Sequence, residues 1–415
     1  MSASSITGAP ASTGGVATAK GFRAAGISAG IKATGKPDIA LVVSDQPATA
    51  AAAFTLNKVQ AAPILVCKEH LQKSGGLVRA IVVNSGCANA CTGDVGIADA
   101  RAMAAATATL VGCPADQVLV GSTGVIGVNL PMEKLKAGIP EAFAALSASQ
   151  GPQAAQAIMT TDPFPKESCT TITIAGKTVT IGGMAKGSGM IGPDMALAAP
   201  APHATMLAFV TTDAAVPVPL LQRALLEVVD DTFNAITVDG DTSTNDTVVL
   251  MANGASGAAV TDAEYAPFVK ALRAVCLELA LGIVRGGEGA TKLVTVNVTG
   301  AASTAEARAT AKAIATSLLV KTAIHGGDPN WGRLLAVAGR ARVAFDPRRA
   351  KVTIGSIVLF EDGRPYDDRA PQAAEYLKAT DITVGVNLGA GSASSTMWTC
   401  DLSAEYVKIN ADYRT

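Results

Sequence analysis

The chain has 415 residues and a mass of 41.6 kDa, and its 41 glycines and 4% aromatic content mark it as rich in small residues. Hydrophobic residues at 49% and charged ones at 16% exclude a disordered chain, and the length is enough for roughly two to three domains with a sizeable core. Lys+Arg at 33 against Asp+Glu at 34 leaves no excess charge to attract nucleic acid or an acidic partner.

The opening residues, MSASSITGAPASTGGVATAKGF, have neither a basic segment nor an apolar one, so no secretory signal is expected. No apolar run reaches the ~18 residues of a membrane span. Seven scattered cysteines (Cys67, Cys87, Cys91, Cys113, Cys169, Cys276 and Cys400) read as reduced thiols rather than a disulfide framework. The pair Cys87 and Cys91 has no second pair, and His70, His203 and His325 lie at no metal spacing from it, so no metal site is expected. The cytoplasm is the default compartment.

Beyond a Gly/Ala/Ser/Thr-rich lead-in over 1–20, short β-like runs alternate with amphipathic helices. Apolar runs at Ile39–Val43 and Ala80–Val83 have strand length. Helices are predicted over Ala98–Leu110 and over Met132–Leu146, where Leu135, Ile139 and Phe143 recur at a four-residue spacing. Alternation on either side of Gly176 predicts a hairpin over Thr171–Ile181. Leu220–Val229 and Tyr265–Ile283 are the clearest helices, the second with Tyr265, Phe268, Leu272, Val275 and Leu279 on one stripe. Helices over Thr304–Leu319 and Ala373–Leu377 interleave with strands near Leu293–Val298, Val352–Leu359 and Ile382–Val386. No internal repeat is visible, and the alternation means an α/β or α+β architecture.

Two glycine-rich segments invite a functional reading. Gly187-Ser188-Gly189-Met190-Ile191-Gly192 is a literal G-x-G-x-x-G, which would suit a dinucleotide and hence an oxidoreductase. That site needs a helix opening at the third glycine, and Pro200 and Pro202 would close one within two turns, so the nucleotide reading is set aside. Gly121-Ser122-Thr123-Gly124-Val125-Ile126-Gly127 follows the apolar run Val118–Val120. It reads as a tight turn that uses glycine for positive φ, or as a nest of N–H groups facing an oxyanion.

No Gly-x-Ser-x-Gly elbow with Asp and His partners presents itself. His325 lies in a dense polar stretch, Lys321–Arg333, where a histidine and an aspartate most often satisfy loop backbone. Ala204-Thr205 has another character. A Pro-bearing stretch precedes it, and five apolar residues, Met206–Val210, follow as a buried strand. This is how a self-cleaving N-terminal nucleophile would look. The Thr205 hydroxyl attacks the preceding carbonyl, the peptide shifts to an ester, and water releases it. The terminal Thr then carries both a nucleophile and an α-amine of ordinary pKa about 7.7 to 8.0 as base. Taken alone, an Ala-Thr before a strand is more often a strand start.

From about Lys20 to Thr415 the sequence resembles the ornithine acetyltransferase family of arginine biosynthesis, bifunctional glutamate N-acetyltransferases/amino-acid acetyltransferases. The resemblance rests on Lys20–Gly26, Asn84-Ser85-Gly86 through Thr92-Gly93, Ser122–Gly127, Met159–Asp162, Met184–Met190, Ala204–Leu207, Asp239–Asp246, Gly287–Lys292, the His325 stretch and Ile409–Tyr413. It implies a layered αββα sandwich of the N-terminal-nucleophile-like type, with a smaller C-terminal α/β domain over roughly 300–415. Cleavage between Ala204 and Thr205 would leave an alpha chain, 1–204, and a beta chain, 205–415. Thr205 would be the nucleophile, with the Thr123 hydroxyl and the Gly124 N–H as oxyanion hole. Thr160, Lys186, Thr205, Glu288, Asn410 and Thr415 would bind substrate, Lys186 pairing with a carboxylate and Glu288 with an ornithine ammonium. The implied reaction is ping-pong: N2-acetylornithine acetylates Thr205, ornithine leaves, and glutamate takes the acetyl group.

No cofactor or metal is implied, although acetyl-CoA is open as a second donor. Two alpha and two beta chains would form a heterotetramer, with no nucleic-acid or membrane partner. Compared with the family pattern, about eight residues over Leu197–Ala204 look inserted, and Gly192 stands where Ala is usual. The family reading leaves two alternatives in view: a self-processing aminopeptidase or amidase, and a related acetyltransferase of secondary metabolism.

Overall fold

Alternating apolar residues and a β-branched bias set the strands, and glycines at positive φ set the turns between them. The computed structural model describes residues 14–196 and 206–412. They fall into two compact units, one of residues 14–234 with 241–283 and one of 235–240 with 284–412.

In the first unit nine strands form one ladder. They are β1 (Phe22–Ile27), β2 (Ile39–Thr55), β3 (Leu77–Cys87), β4 (Val118–Val125), β5 (Lys166–Ile174), β6 (Lys177–Lys186), β7 (Met195–Ala196), β8 (Leu207–Thr212) and β9 (Thr247–Ala252). Their order is β4-β3-β2-β9-β8-β6-β5, with β1 and β7 also on β2. The long β2 is the hinge of this ladder. Its register with β3 shifts between Val43 and Ala48, where Asp45, Gln46 and Pro47 are exposed. A proline fits there because a bulge needs no N–H from it. Before the shift β2 pairs with β1 and β3; beyond it, β2 keeps β3 only at Ala48 and Thr49 and pairs with β9 and, at its end, β7.

The bend folds the ladder back on itself. In a flat sheet β4 and β8, four strands apart, would be separated by about 19 Å at the usual ~4.8 Å spacing. Instead a Cβ on Gly121 of β4 would lie 3.4 Å from Phe209 Cζ of β8. Two β layers therefore face each other, with Val82, Val83, Phe209, Val249 and Met251 in their common core. Helices cover the outside. The helices α1 (Ala62–Lys73), α2 (Gly93–Val111), α3 (Met132–Ala144) and α4 (Gly151–Ala157) pack around β1 to β4. The helix α5 (Val218–Asp231) lies on β2 and β9, and Leu279 of α6 (Tyr265–Arg285) abuts Gly183 of β6. This is the layered αββα arrangement that the resemblance implies.

The second unit has a six-stranded sheet from β10 (Leu293–Ala301), β11 (Lys351–Ile354), β12 (Ile357–Glu361), β13 (Arg364–Pro365), β14 (Asp381–Asn387) and β15 (Ala393–Cys400), in the order β13-β12-β11-β14-β10-β15. Its helices are α7 (Thr304–Ala315), α8 (Leu318–His325), α9 (Trp331–Arg340), α10 (Ala370–Tyr376) and α11 (Ala404–Asp412). Among the described residues, no helix is long and apolar enough to cross a membrane.

Several sequence expectations shift in detail. The hairpin on either side of Gly176 forms, and its turn, Ala175 with φ 48° and Gly176 with φ 76°, has both central residues left-handed, as a tight hairpin requires. The single strand expected over Val352–Leu359 is instead the antiparallel pair β11 and β12. Gly355, with φ 58°, reverses the chain between them, a turn hidden by the β-branched residues on both sides. The helix expected over Thr304–Leu319 breaks before α8, because Ser317 takes an extended conformation and its hydroxyl accepts from Val320 N. The polar stretch Lys321–Arg333 is mostly helical, since α8 runs to His325 and α9 starts at Trp331. No helix opens at Gly192; Met195 and Ala196 pair with β2 instead.

Candidate active site

The expected oxyanion segment is not a free turn: β4 runs through Thr123 and Gly124, and Thr123 is buried. Gly124 has φ 127°, and a Cβ there would stand 2.4 Å from the carbonyl carbon of Gly86 on β3. Both the backbone angle and the space demand glycine. An antiparallel pairing sets Lys186, the last residue of β6, opposite Leu207 of β8. Because the two β layers face each other, the Lys186 ammonium reaches across to β4. Its Nζ donates to Thr123 Oγ1 at 3.1 Å and to Thr160 Oγ1 at 3.0 Å. Thr123 accepts there, so its own hydroxyl proton is available to a further acceptor.

A buried charge network supports this lysine. Asp162 Oδ1 accepts from Lys166 Nζ at 2.5 Å and from Gly187 N at 2.8 Å, and its Oδ2 accepts from Thr160 N at 2.9 Å. The Asp162 and Lys166 side chains are almost wholly buried. Burial by itself would raise the Asp162 carboxyl, yet the ammoniums of Lys186 and Lys166 and the Gly187 N–H outweigh it and hold the group at about 2. Asp162 thus fixes Thr160, Gly187 and Lys166 together, and Thr160 in turn meets Lys186.

A second network locks the strand ends. Ser122 Oγ donates to Asn84 Oδ1 at 2.6 Å, and Asn84 Nδ2 donates to Cys87 O at 2.9 Å. Asn245 Nδ2 donates to Ser122 O at 2.8 Å and to Ala88 O at 2.6 Å, tying the end of β4 to the residues that lead into β9. Next to Asn245, Asp246 is fully buried. Its Oδ1 accepts from the Met206 N–H, its Oδ2 has no hydrogen-bond partner, and burial pushes the carboxyl well above the ordinary range. Thus Met206, held by Asp246, leads directly into β8, whose first residue Leu207 stands opposite Lys186. Ala204 and Thr205 themselves lie outside the described residues, as does Thr415.

Glu288 and Asn410 come together in the second unit. Asn410 Nδ2 on α11 donates to Glu288 Oε2 at 2.8 Å and to Tyr406 O at 3.0 Å, and Glu288 is buried. The turn after Glu288 depends on Gly289: φ is 68°, and a Cβ would come within 2.6 Å of Tyr406 N. His325 has a structural partner, Nδ1 standing 2.6 Å from Asp401 Oδ2. Asp401 also accepts from Thr291 N, Thr291 Oγ1 and Lys292 N, tying the loop before β10. The seven cysteines are free thiols, and among the described residues no cluster of three His, Cys, Asp or Glu could hold a metal.

Sequence reasoning assigned no role to Asn84, Ser122, Asp162, Lys166, Asn245 or Asp246, although each but Lys166 falls in a stretch that carries the resemblance. Their signal is polarity next to an apolar strand run, after it for Asn84 and Ser122 and before it for Asn245 and Asp246, which also describes many ordinary residues at strand ends.

The fold and the polar cluster define a layered α/β protein with a buried lysine held between two threonine hydroxyls at a strand end. Comparison with known proteins is specific. The ArgJ family model matches residues 23–415. The arginine biosynthesis bifunctional protein ArgJ of Thermosynechococcus vestitus is 48% identical, with 97% of this chain and 98% of its own length covered. The protein of the same name from Symbiobacterium thermophilum is also 48% identical, covering 97% and 99%. Among solved structures, ornithine acetyltransferase complexed with ornithine from Mycobacterium tuberculosis is 44% identical, with a TM-score of 0.40 over 44% of this chain and 96% of that one. The chain belongs to the ArgJ family, and it is an enzyme.

Proposed function

We propose that the chain is a self-processing N-terminal-threonine acetyltransferase of arginine biosynthesis, moving the acetyl group of N2-acetylornithine to glutamate. The observation that carries this reading is the start of β8 at Leu207, opposite Lys186, whose ammonium is shared by Thr123 and Thr160. Thr205 is two positions before Leu207 in the sequence, which supports a nucleophile at the head of this strand.

In this mechanism the peptide between Ala204 and Thr205 is cut by attack of the Thr205 hydroxyl and then water. The chain becomes residues 1–204 and 205–415. In each turnover the freed α-amine of Thr205 takes the hydroxyl proton as the oxygen attacks the acetyl carbonyl. The Thr123 hydroxyl and the Gly124 N–H face the developing oxyanion, which is typically worth a few kcal/mol per donor. Ornithine departs, carrying the proton on its amine, and leaves an acetyl ester on Thr205. Glutamate's amine then attacks that ester and regenerates the free hydroxyl. Lys186 and Thr160 hold a substrate carboxylate, Glu288 oriented by Asn410 holds the ornithine ammonium, and Thr415 adds a further contact. Acetyl-CoA would serve as a second donor by acetylating the same free Thr205 hydroxyl, with coenzyme A leaving as its thiol. The proposal extends to a heterotetramer of two alpha and two beta chains acting in the cytoplasm.

Intact mass spectrometry after incubation with N2-acetylornithine tests the reading. The expected result is two fragments, with one acetyl group on the chain beginning at Thr205, and a single intact chain for Thr205→Ala. A single unmodified species from the wild type overturns it, and rapid loss of the acetyl group to water with no transfer to glutamate points to an amidase instead.

A further inference from the structure

A third lysine, Lys32, flanks the buried cluster of Lys186 and Lys166 and takes no part in the mechanism above. It lies in the loop between β1 and β2. The buried Asp38 carboxyl group pins that loop, accepting from Ala29 N at 2.7 Å, Ile31 N at 2.6 Å and Lys32 N at 3.0 Å. The backbone of Asp38 is tied in turn to β3, because its carbonyl accepts from Ser85 N at 2.9 Å. Ser85 and Gly86 pair with Thr123 and Gly124 of β4, the expected oxyanion segment. The aliphatic stem of Lys32 passes over these strand ends: a Cβ on Gly86 would stand 3.3 Å from Lys32 Cγ.

The ammonium at the end of this stem has one neutral partner. Lys32 Nζ donates to Pro37 O at 2.7 Å, and among the described residues no carboxylate forms an ion pair with it. Two of its three hydrogens are left for another acceptor. Lys166, by contrast, is committed to Asp162. Burial is the main cause that pulls the Lys32 ammonium down to about 8; Asp38 and Asp162 oppose it, and Lys186 adds to it. Lys186 and Asp162 are thus near enough to act on its charge. An ammonium that has given up water without gaining an anion is stabilised by a carboxylate brought to it.

The two substrates of the proposed reaction differ in what they ask of such a cation. N2-acetylornithine has one carboxylate, whereas glutamate has two. Lys186 with Thr160 accounts for one. We propose that Lys32 holds the second carboxylate of the acceptor glutamate, on the Gly86 side of the oxyanion segment, and so selects a dicarboxylic acceptor. The assignment rests on the acetyl-transfer reading above and deepens it by naming a group that serves only the second half-reaction. In the first half-reaction Lys32 keeps its Pro37 carbonyl and meets no substrate carboxylate. In the second, its ammonium gains the anion that the fold withholds, and Asp38 keeps the loop in place to receive it.

Lys32→Gln tests the assignment, because it removes the charge and leaves much of the stem over Gly86. In a ping-pong reaction kcat/KM for each substrate reports its own half-reaction. The expected outcome is a fall in kcat/KM for glutamate at least tenfold greater than the fall for N2-acetylornithine. A smaller difference overturns the assignment, since damage to the fold slows both halves alike. Should the variant fail to fold or to form an acetyl-enzyme, labelling of the wild type decides instead. Lys32 is propionylated with an N-hydroxysuccinimide ester and read by peptide mass spectrometry against the exposed Lys73. Saturating glutamate should slow its labelling at least threefold while the same concentration of glutamine does not. Weaker protection, or equal protection by glutamine, overturns the assignment. A wild type that neither cleaves nor takes up acetyl removes the Thr205 reading and this one together. A wild type that acetylates, with an indifferent Lys32→Gln, removes only this one.

Discussion

At the scale of single residues, the site is built by paying for one buried ion network rather than by exposed charges. Asp162 is the sharpest example, because its ionised form is held by Lys186, Lys166 and the Gly187 N–H in a place where burial alone would favour the neutral acid. The sign of its effect on stability follows directly. Its folded value, about 2, lies below the ordinary value near 3.9, so its stabilisation is complete above about pH 4 and is lost as pH falls toward 2. Asp162→Asn should lower stability near neutrality by about 3 to 5 kcal/mol, because it strands buried ammoniums. The gap from wild type should narrow as pH falls from about 4 to about 2. Urea titrations across that range check it; a gap independent of pH would mean that Asp162 is not ionised in the fold.

At the scale of elements, strand ends and helix caps carry the positioning. The helix α7 begins with Ser303-Thr304-Ala305-Glu306, and Ser303 Oγ accepts from Glu306 N at 3.2 Å, the pattern of a capping box. Ser303→Ala should therefore cost about 1 kcal/mol in chemical denaturation of the second unit, with no change in the first. The same capping logic ended the predicted helix early, since Ser317 starts α8 with its own cap. These signals are local, so they can be read from a few residues. The hairpin at Ala175-Gly176 was legible for that reason, whereas the reversal at Gly355 was hidden among β-branched neighbours that suit either one strand or two.

At the scale of the whole molecule, the proposed cut between Ala204 and Thr205 would divide the chain between β7 and β8, two strands of one hydrogen-bonded ladder. The strand β8, after the cut, lies between β6, before it, and β9; β9 pairs on its other side with β2, also before it. Strands of the two halves thus interleave within the first unit, sharing a core through Phe209, Val249, Val82 and Val83. The two fragments of the matured protein should co-elute on gel filtration in native buffer and separate only in denaturant. Separation in native buffer would mean that the ladder does not hold them.

The sequence by itself determined the alternating α/β plan, the helices α2, α3, α5, α6, α7 and α10 to within about five residues, the family, and a small group of residues to watch. The helices α1, α4, α8, α9 and α11 were not foreseen. Periodicity, capping and motif order are properties of neighbours along the chain, so no tertiary information is needed to read them. Only the tertiary structure decided that Thr123 and Lys186, 63 residues apart, share a hydrogen bond. That contact exists because β2 bends at Asp45–Pro47 and lays one half of the ladder over the other. It likewise decided that Asp162 and Asp246, two aspartates of the same first unit, have opposite characters. A pKa follows from burial and from the charges that folding gathers around a group: two ammoniums face Asp162, and Oδ2 of Asp246 faces no partner.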